Sequence, residues 1–68
     1  MSDEGKQKEI DRLKEMIMRE MYIENQKPLI DTLASYGDFA KPALLDILRN
    51  LKNIHLKEYA ARKLRTMD

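Results

Sequence analysis

The amino-acid sequence predicts an all-α protein, four helices folded as two antiparallel helical hairpins within a single domain spanning residues 1–68. Two observations carry that expectation. Only two glycines and two prolines interrupt the 68 residues, and β-branched side chains are sparse, so the chain has few places to turn and little preference for strands. Apolar residues recur three and four positions apart, the period that lines one face of a helix.

The first helix is expected from Asp3 or Lys6 to Tyr22, with Ile10, Leu13, Ile17 and Met21 stacked on its core side. Met16, Met18, Tyr22 and Ile23 fall about 80° to 120° from the centre of that stripe at 100° per residue. This helix is therefore apolar over more of its girth than one neighbour covers. Asn25 is expected to cap a short second helix with Pro28 in its first turn, carrying Leu29, Ile30, Leu33 and Tyr36. Gly37 then closes that helix in the left-handed conformation open to glycine, and Asp38 is placed to accept N–H groups from the next one. The third helix, Phe39 to Lys52 with Pro42 in its first turn, lines up Ala40, Leu44, Ile47, Leu48 and Leu51, leaving Leu45 to one side. Asn53 is expected to cap the fourth, in which Leu56, Ala60, Leu64 and Met67 share a face with Tyr59 beside them.

A chain of this length buries only about 60% of the surface its unfolded form exposes, and a single core of this size supplies roughly 3–5 kcal/mol. Cysteine is absent, which removes disulfides and the Cys-based zinc patterns. Close helix packing or association with another chain is left to supply stability. The composition, 43% hydrophobic and 37% charged, is too apolar in pattern for a disordered chain and too charged for a membrane span. The polar start, Met1 to Lys6, lacks the apolar region of a secretory signal, so a cytoplasmic location is expected. The net charge of +1 hides an asymmetry: residues 1–38 hold six Lys/Arg against nine Asp/Glu, whereas residues 39–68 hold seven against three.

Shifting the sequence by 31 positions brings Leu64 onto Leu33, Leu44 onto Leu13, Ile47 onto Met16, Leu48 onto Ile17 and Ile54 onto Ile23, which implies two hairpin repeats, residues 6–36 and 38–67. Leu29-Ile30-Asp31-Thr32-Leu33, Tyr36-Gly37-Asp38, Pro42-Ala43-Leu44-Leu45-Asp46-Ile47-Leu48, Leu56-Lys57 and Ala60-Ala61 before Leu64 together resemble HEAT-like helical repeats. The resemblance covers residues 28–67; earlier, Asn25-Gln26 stand where the family has a hydrophobic-basic pair, and Lys52-Asn53 replace its Asp-Pro turn. It implies a scaffold for protein–protein contact. An ordinary small four-helix bundle is the other architecture these helices fit.

Two repeats are fewer than a stacked array usually needs, because each end leaves an apolar face uncovered. Self-association is the expected remedy, with Met16, Met18, Met21 and Tyr22 as interface candidates; methionine's flexible thioether suits adaptable surfaces as well as cores. Equipment for catalysis is missing. Ser2 and Ser35 lie near ends, and His55, alone in the first turn of the fourth helix, has no relay. No His-x₃-His or Glu-x-x-His spacing occurs, and Gly5 and Gly37 are isolated, so neither metal nor cofactor is expected. The expected function is a non-catalytic interaction module or small adaptor, with a homodimer or protein partner and no membrane. Lys52, Lys57, Arg62, Lys63 and Arg65 carry the alternative, a small nucleic-acid-binding or regulatory protein.

Overall fold

Four α-helices, one 3-10 turn and no strand make up residues 2–66, the part of the chain that the computed structural model describes. Helix α1 is Ser2–Arg19, α2 Ile23–Ala34, α3 Lys41–Asn50 and α4 Ile54–Thr66, with the 3-10 turn at Gly37–Ala40 between α2 and α3. Helices α1 and α2 form one antiparallel hairpin, α3 and α4 the other. The hairpins lie side by side so that α1 packs on α3 and α2 on α4, while among the described residues the backbones of α1 and α4 sit on a diagonal and do not approach closely. The three-residue joints of the two hairpins, 20–22 and 51–53, consequently lie at the same end of the molecule.

The core is where the four apolar stripes meet. Ile10, Leu13 and Ile17 from α1 close on Ile30 and Leu33 from α2, on Ala43, Leu44 and Ile47 from α3 and on Leu56 and Ala60 from α4, with Ala40 and Leu51 sealing the ends of α3. Seven large aliphatic side chains, Ile10, Ile17, Ile30, Leu33, Leu44, Ile47 and Leu56, are entirely removed from water. Burial of this kind is the main favourable term in folding, and Ala60, fully buried, lets α4 sit close to its neighbours. Leu45 is half exposed on the flank of α3, as its register requires.

Helix ends depart from the expected bounds for identifiable reasons. Helix α1 stops at Arg19 and not at Tyr22, because the buried Gln26 side chain turns back from α2 and donates from Nε2 to the carbonyls of Ile17 at 2.9 Å and Glu20 at 3.1 Å. Those carbonyls would otherwise lack helical partners. Glu20 fixes the turn from the other side, its carboxylate accepting the Met21 and Tyr22 N–H groups and the Asn25 amide. Asn25 is thus tied to Glu20 and does not cap α2. The cap position belongs to the extended Tyr22, whose carbonyl accepts from Asn25 and Gln26 backbone N–H groups. Pro28 falls in the second turn, leaving the Glu24 carbonyl without its usual N–H. Met21, expected on the core stripe, lies past the end of α1 and is 84% exposed.

Gly37 has φ 69°, the left-handed value that closes α2. Asp38 does not cap α3. The 3-10 turn intervenes, the N-cap residue is Ala40, and Asp38 sits 3.4 Å from the Lys41 ammonium instead. Helix α3 ends at Asn50, not Lys52, because Leu51 swings into extended backbone with its side chain buried. The fourth cap is as the sequence indicates: Asn53 Oδ1 accepts the N–H groups of His55 at 2.9 Å and Leu56 at 3.1 Å. Met67, expected on the core face of α4, lies outside the described residues.

Two polar clasps join one hairpin to the other. Lys14 of α1 donates to Asp46 of α3 at 2.8 Å. From α4, the Tyr59 hydroxyl donates to Asp31 of α2 at 2.6 Å and Lys63 donates to the same oxygen at 2.9 Å. The ammonium groups of Lys27 and Lys63 lie 5.5 and 5.4 Å from the centre of the Tyr59 ring. The Tyr59 hydrogen bond, followed by Lys63, holds the Asp31 carboxyl below its ordinary range, and the same contact raises Tyr59 and Lys63. Lys14 lowers Asp46 in the same way.

Candidate functional site

The two joints are built by the local rules just described, and between them they leave a cavity of about 340 Å³. Met18, Met21 and Ile23 line it from the first hairpin, Leu51 and Leu56 from the second, with Gln26, Asn50, Asn53, Glu20 and Lys52 supplying polar groups. Gln26 and Asn53 already use their polar atoms as caps. The free character of the site therefore comes from its methionines. Met18 is 42% exposed and Met21 protrudes fully at the turn, with Tyr22 beside it 61% exposed.

The four residues expected at an interface do not form one patch. Met18 and Met21 share the joint cavity and Tyr22 borders it in sequence, but Met16, 44% exposed, falls on the opposite flank of α1 and does not line it. Ile54, two-thirds exposed at the start of α4, is a further apolar side chain at the joint end that the helical pattern alone did not single out. Its signal was present as the first residue after a cap, a position that faces away from the core. Gln26 is the second residue missed, since a glutamine following an asparagine gives no hint of burial.

The basic residues are more scattered still. Lys52 borders the joint cavity, whereas Arg65, near the far end of α4, borders a separate groove of about 290 Å³ shared with Lys41, Leu45 and Leu64. A helix of this length separates its ends by roughly 20 Å. Lys63 is engaged by Asp31 and lies against the Tyr59 ring, Lys57 is half-buried, and Arg62 is exposed. Lys52, Lys57, Arg62, Lys63 and Arg65 thus face several directions and do not converge on one strip. His55 is exposed and takes part through its backbone N–H only in the Asn53 cap.

Fold and surface together define a small bundle of two side-by-side helical hairpins with apolar side chains left in water at one end. Comparison with family models, curated proteins and solved structures finds no match to the chain. Among the described residues no helix is long and apolar enough to cross a membrane.

Proposed function

We propose that the protein is a non-catalytic, cytoplasmic protein–protein interaction module that associates with itself through its joint end. The observation that carries this reading is the exposure of Met18 and Met21 at one cavity, with the exposed Tyr22 next to Met21 in the chain. Large apolar side chains that stay in water singly are common, but several gathered at a concave edge mark a surface that gains from being covered. Methionine adds adaptability, because its side chain repacks at little cost.

A HEAT-like relation between the hairpins is supported by their arrangement. Arg19 and Asn50, the last residues of α1 and α3, are 31 positions apart, and so are Ile23 and Ile54, the first residues of α2 and α4. Equivalent helices pack on one another, α1 on α3 and α2 on α4, as in stacked hairpin arrays. Such arrays use their surfaces to hold other proteins. The scattering of Lys52, Lys57, Arg62, Lys63 and Arg65 gives the nucleic-acid reading less support, since phosphate neutralisation needs cations along one strip.

Sedimentation over a concentration series to tens of micromolar tests self-association. A mass that rises with concentration, and a dimer dissociation constant weakened at least about tenfold by Met21→Glu, are expected. Met21 carries no core contact that a charge would disturb, so Met21→Glu keeps its helical content. A monomer mass throughout the series, unaffected by Met18→Glu or Met21→Glu, would sink the reading.

A further inference from the structure

We propose that a second copy docks on the joint end about a two-fold axis that sets the acidic first joint of each chain against the basic second joint of the other. This rests on the self-association reading and adds the contacts that orient it. Residues 20–26 and 51–57 occupy equivalent places in the two hairpins, each a joint followed by the first turn of a helix. Their charges are opposite. The first segment holds Glu20 and Glu24 and no Lys or Arg, whereas the second holds Lys52 and Lys57 and no carboxylate. Because both joints lie at one end of the molecule, that end is divided into an acidic half and a basic half.

The two charges at the cavity are left open. Glu20 lines it from the first hairpin and Lys52 from the second, yet among the described residues no ion pair joins them, and the exposed Lys52 has no carboxylate partner. Glu20 holds its turn through one oxygen, Oε1, which accepts the Met21 and Tyr22 N–H groups and the Asn25 amide. Those donors are neutral. The carboxylate charge is therefore not matched by a cation within the chain, and Oε2 is left to take a donor from outside.

Two end-on arrangements with two-fold symmetry exist. An axis running between the hairpins sets each joint against the other joint of the second copy, so the glutamates of one chain meet the lysines of the other, and symmetry makes that contact twice. An axis crossing both hairpins sets each joint against itself, acid on acid and base on base, which is repulsive. The charges select the first. In it the apolar part of the surface, Met18 and Met21, is covered by the second copy, while the lysine stems lie along apolar neighbours with their ammonium groups at the edge. A nucleic-acid backbone would suit Lys52 and Lys57 but meet Glu20 and Glu24 on the same face. A second copy carries both signs at the matching spacing.

Sedimentation of charge variants beside the parent protein, at low and at high salt, tests the geometry. The parent dimer should weaken as salt rises. Lys52→Glu, at an exposed position that spares the fold, turns two attractive contacts repulsive and should weaken the dimer at least about tenfold. Glu20→Gln keeps an acceptor for the turn, removes the charge, and should weaken it by a smaller factor with helical content by circular dichroism unchanged. Glu24→Lys, also exposed, should weaken its own dimer, yet mixing it with Lys52→Glu should recover the dimer mass, because the reversed charges then face each other. The proposal is overturned if Lys52→Glu dimerises like the parent while Met18→Glu does not; self-association through the joint end would then stand and the axis would be wrong. A dimer indifferent to salt, or a mixture that stays monomeric, overturns it as well. A parent protein that is monomeric at every concentration overturns this proposal and the reading beneath it together.

Discussion

The two hairpin joints have the same length, sit 31 residues apart and lie at the same end of the molecule, yet they are held by different means. At 51–53 the stabilising contacts are local: Asn53 accepts N–H groups two and three residues ahead, and Leu51 donates to the Ile47 carbonyl at 2.8 Å. At 20–22 local contacts of Glu20 and Tyr22 are joined by a more distant one. The helix end is satisfied by Gln26, nine residues beyond the Ile17 carbonyl it bonds, from a side chain closed off from water. A solvated cap can be replaced by water when it is lost, whereas a buried one leaves its acceptors stranded. The first joint is therefore the more brittle of the two.

The largest effects belong to the core beneath the joints, where the two halves should behave alike. Ile17, just before the first joint, and Leu56, just after the second, are both fully buried, and truncation of either to alanine should cost about 2–5 kcal/mol. Urea unfolding followed by circular dichroism measures it. For a domain this small either loss brings the folded state close to failure at room temperature. Similar losses would place the difference between the joints in their caps; a large inequality would place it in the packing.

Next in size, and the direct test, are the caps themselves. Gln26→Leu keeps the bulk of the side chain but removes the donor from two carbonyls, and should cost about 1–3 kcal/mol. Asn53→Ala should cost about 1 kcal/mol, the usual figure for an exposed N-cap. The comparison fails if Asn53→Ala proves the more damaging substitution in the same urea titration.

The difference between the joints also explains how much of this structure was legible in the sequence. Elements held by neighbours in the chain could be read: the Asn53 cap, Gly37 closing α2, Pro42 in the first turn of α3, the buried stripes and the outlying Leu45. What depends on distant residues could not. The end of α1 was placed at Tyr22 because apolar residues continue to Ile23, and nothing in the pattern says that Gln26 folds back to stop the helix. Met21 was counted as core for the same reason. Nothing in the helical spacing shows that Lys14 finds Asp46 thirty-two residues away or that Tyr59 finds Asp31 twenty-eight away. The interface candidates Met16, Met18, Met21 and Tyr22 are all exposed, Met21 against its core reading, yet the sequence could not show that Met16 faces elsewhere or that Arg65 and Leu45 share a groove.

The smallest expected effect concerns the clasps, which differ between the layers as the caps differ between the joints. Asp31 on the α2 to α4 side receives two donors, Tyr59 and Lys63, while Asp46 on the α1 to α3 side receives Lys14. Both carboxyls are held below their ordinary range, so each contributes stability while ionised and loses it as pH falls through its folded-state value, below about pH 4. Tyr59 and Lys63 are shifted the other way; their share is present at neutral pH and fades only as pH rises past about 10. All of these groups face water, which screens them, so the acid loss should be smaller than the cost of Asn53→Ala. Thermal midpoints between pH 7 and pH 3 should fall less in Asp31→Asn than in the parent protein, and Asp46→Asn should flatten the curve less than Asp31→Asn does. The reverse order would mean that the short Tyr59 bond adds nothing to the Asp31 clasp and that the two layers are fastened equally.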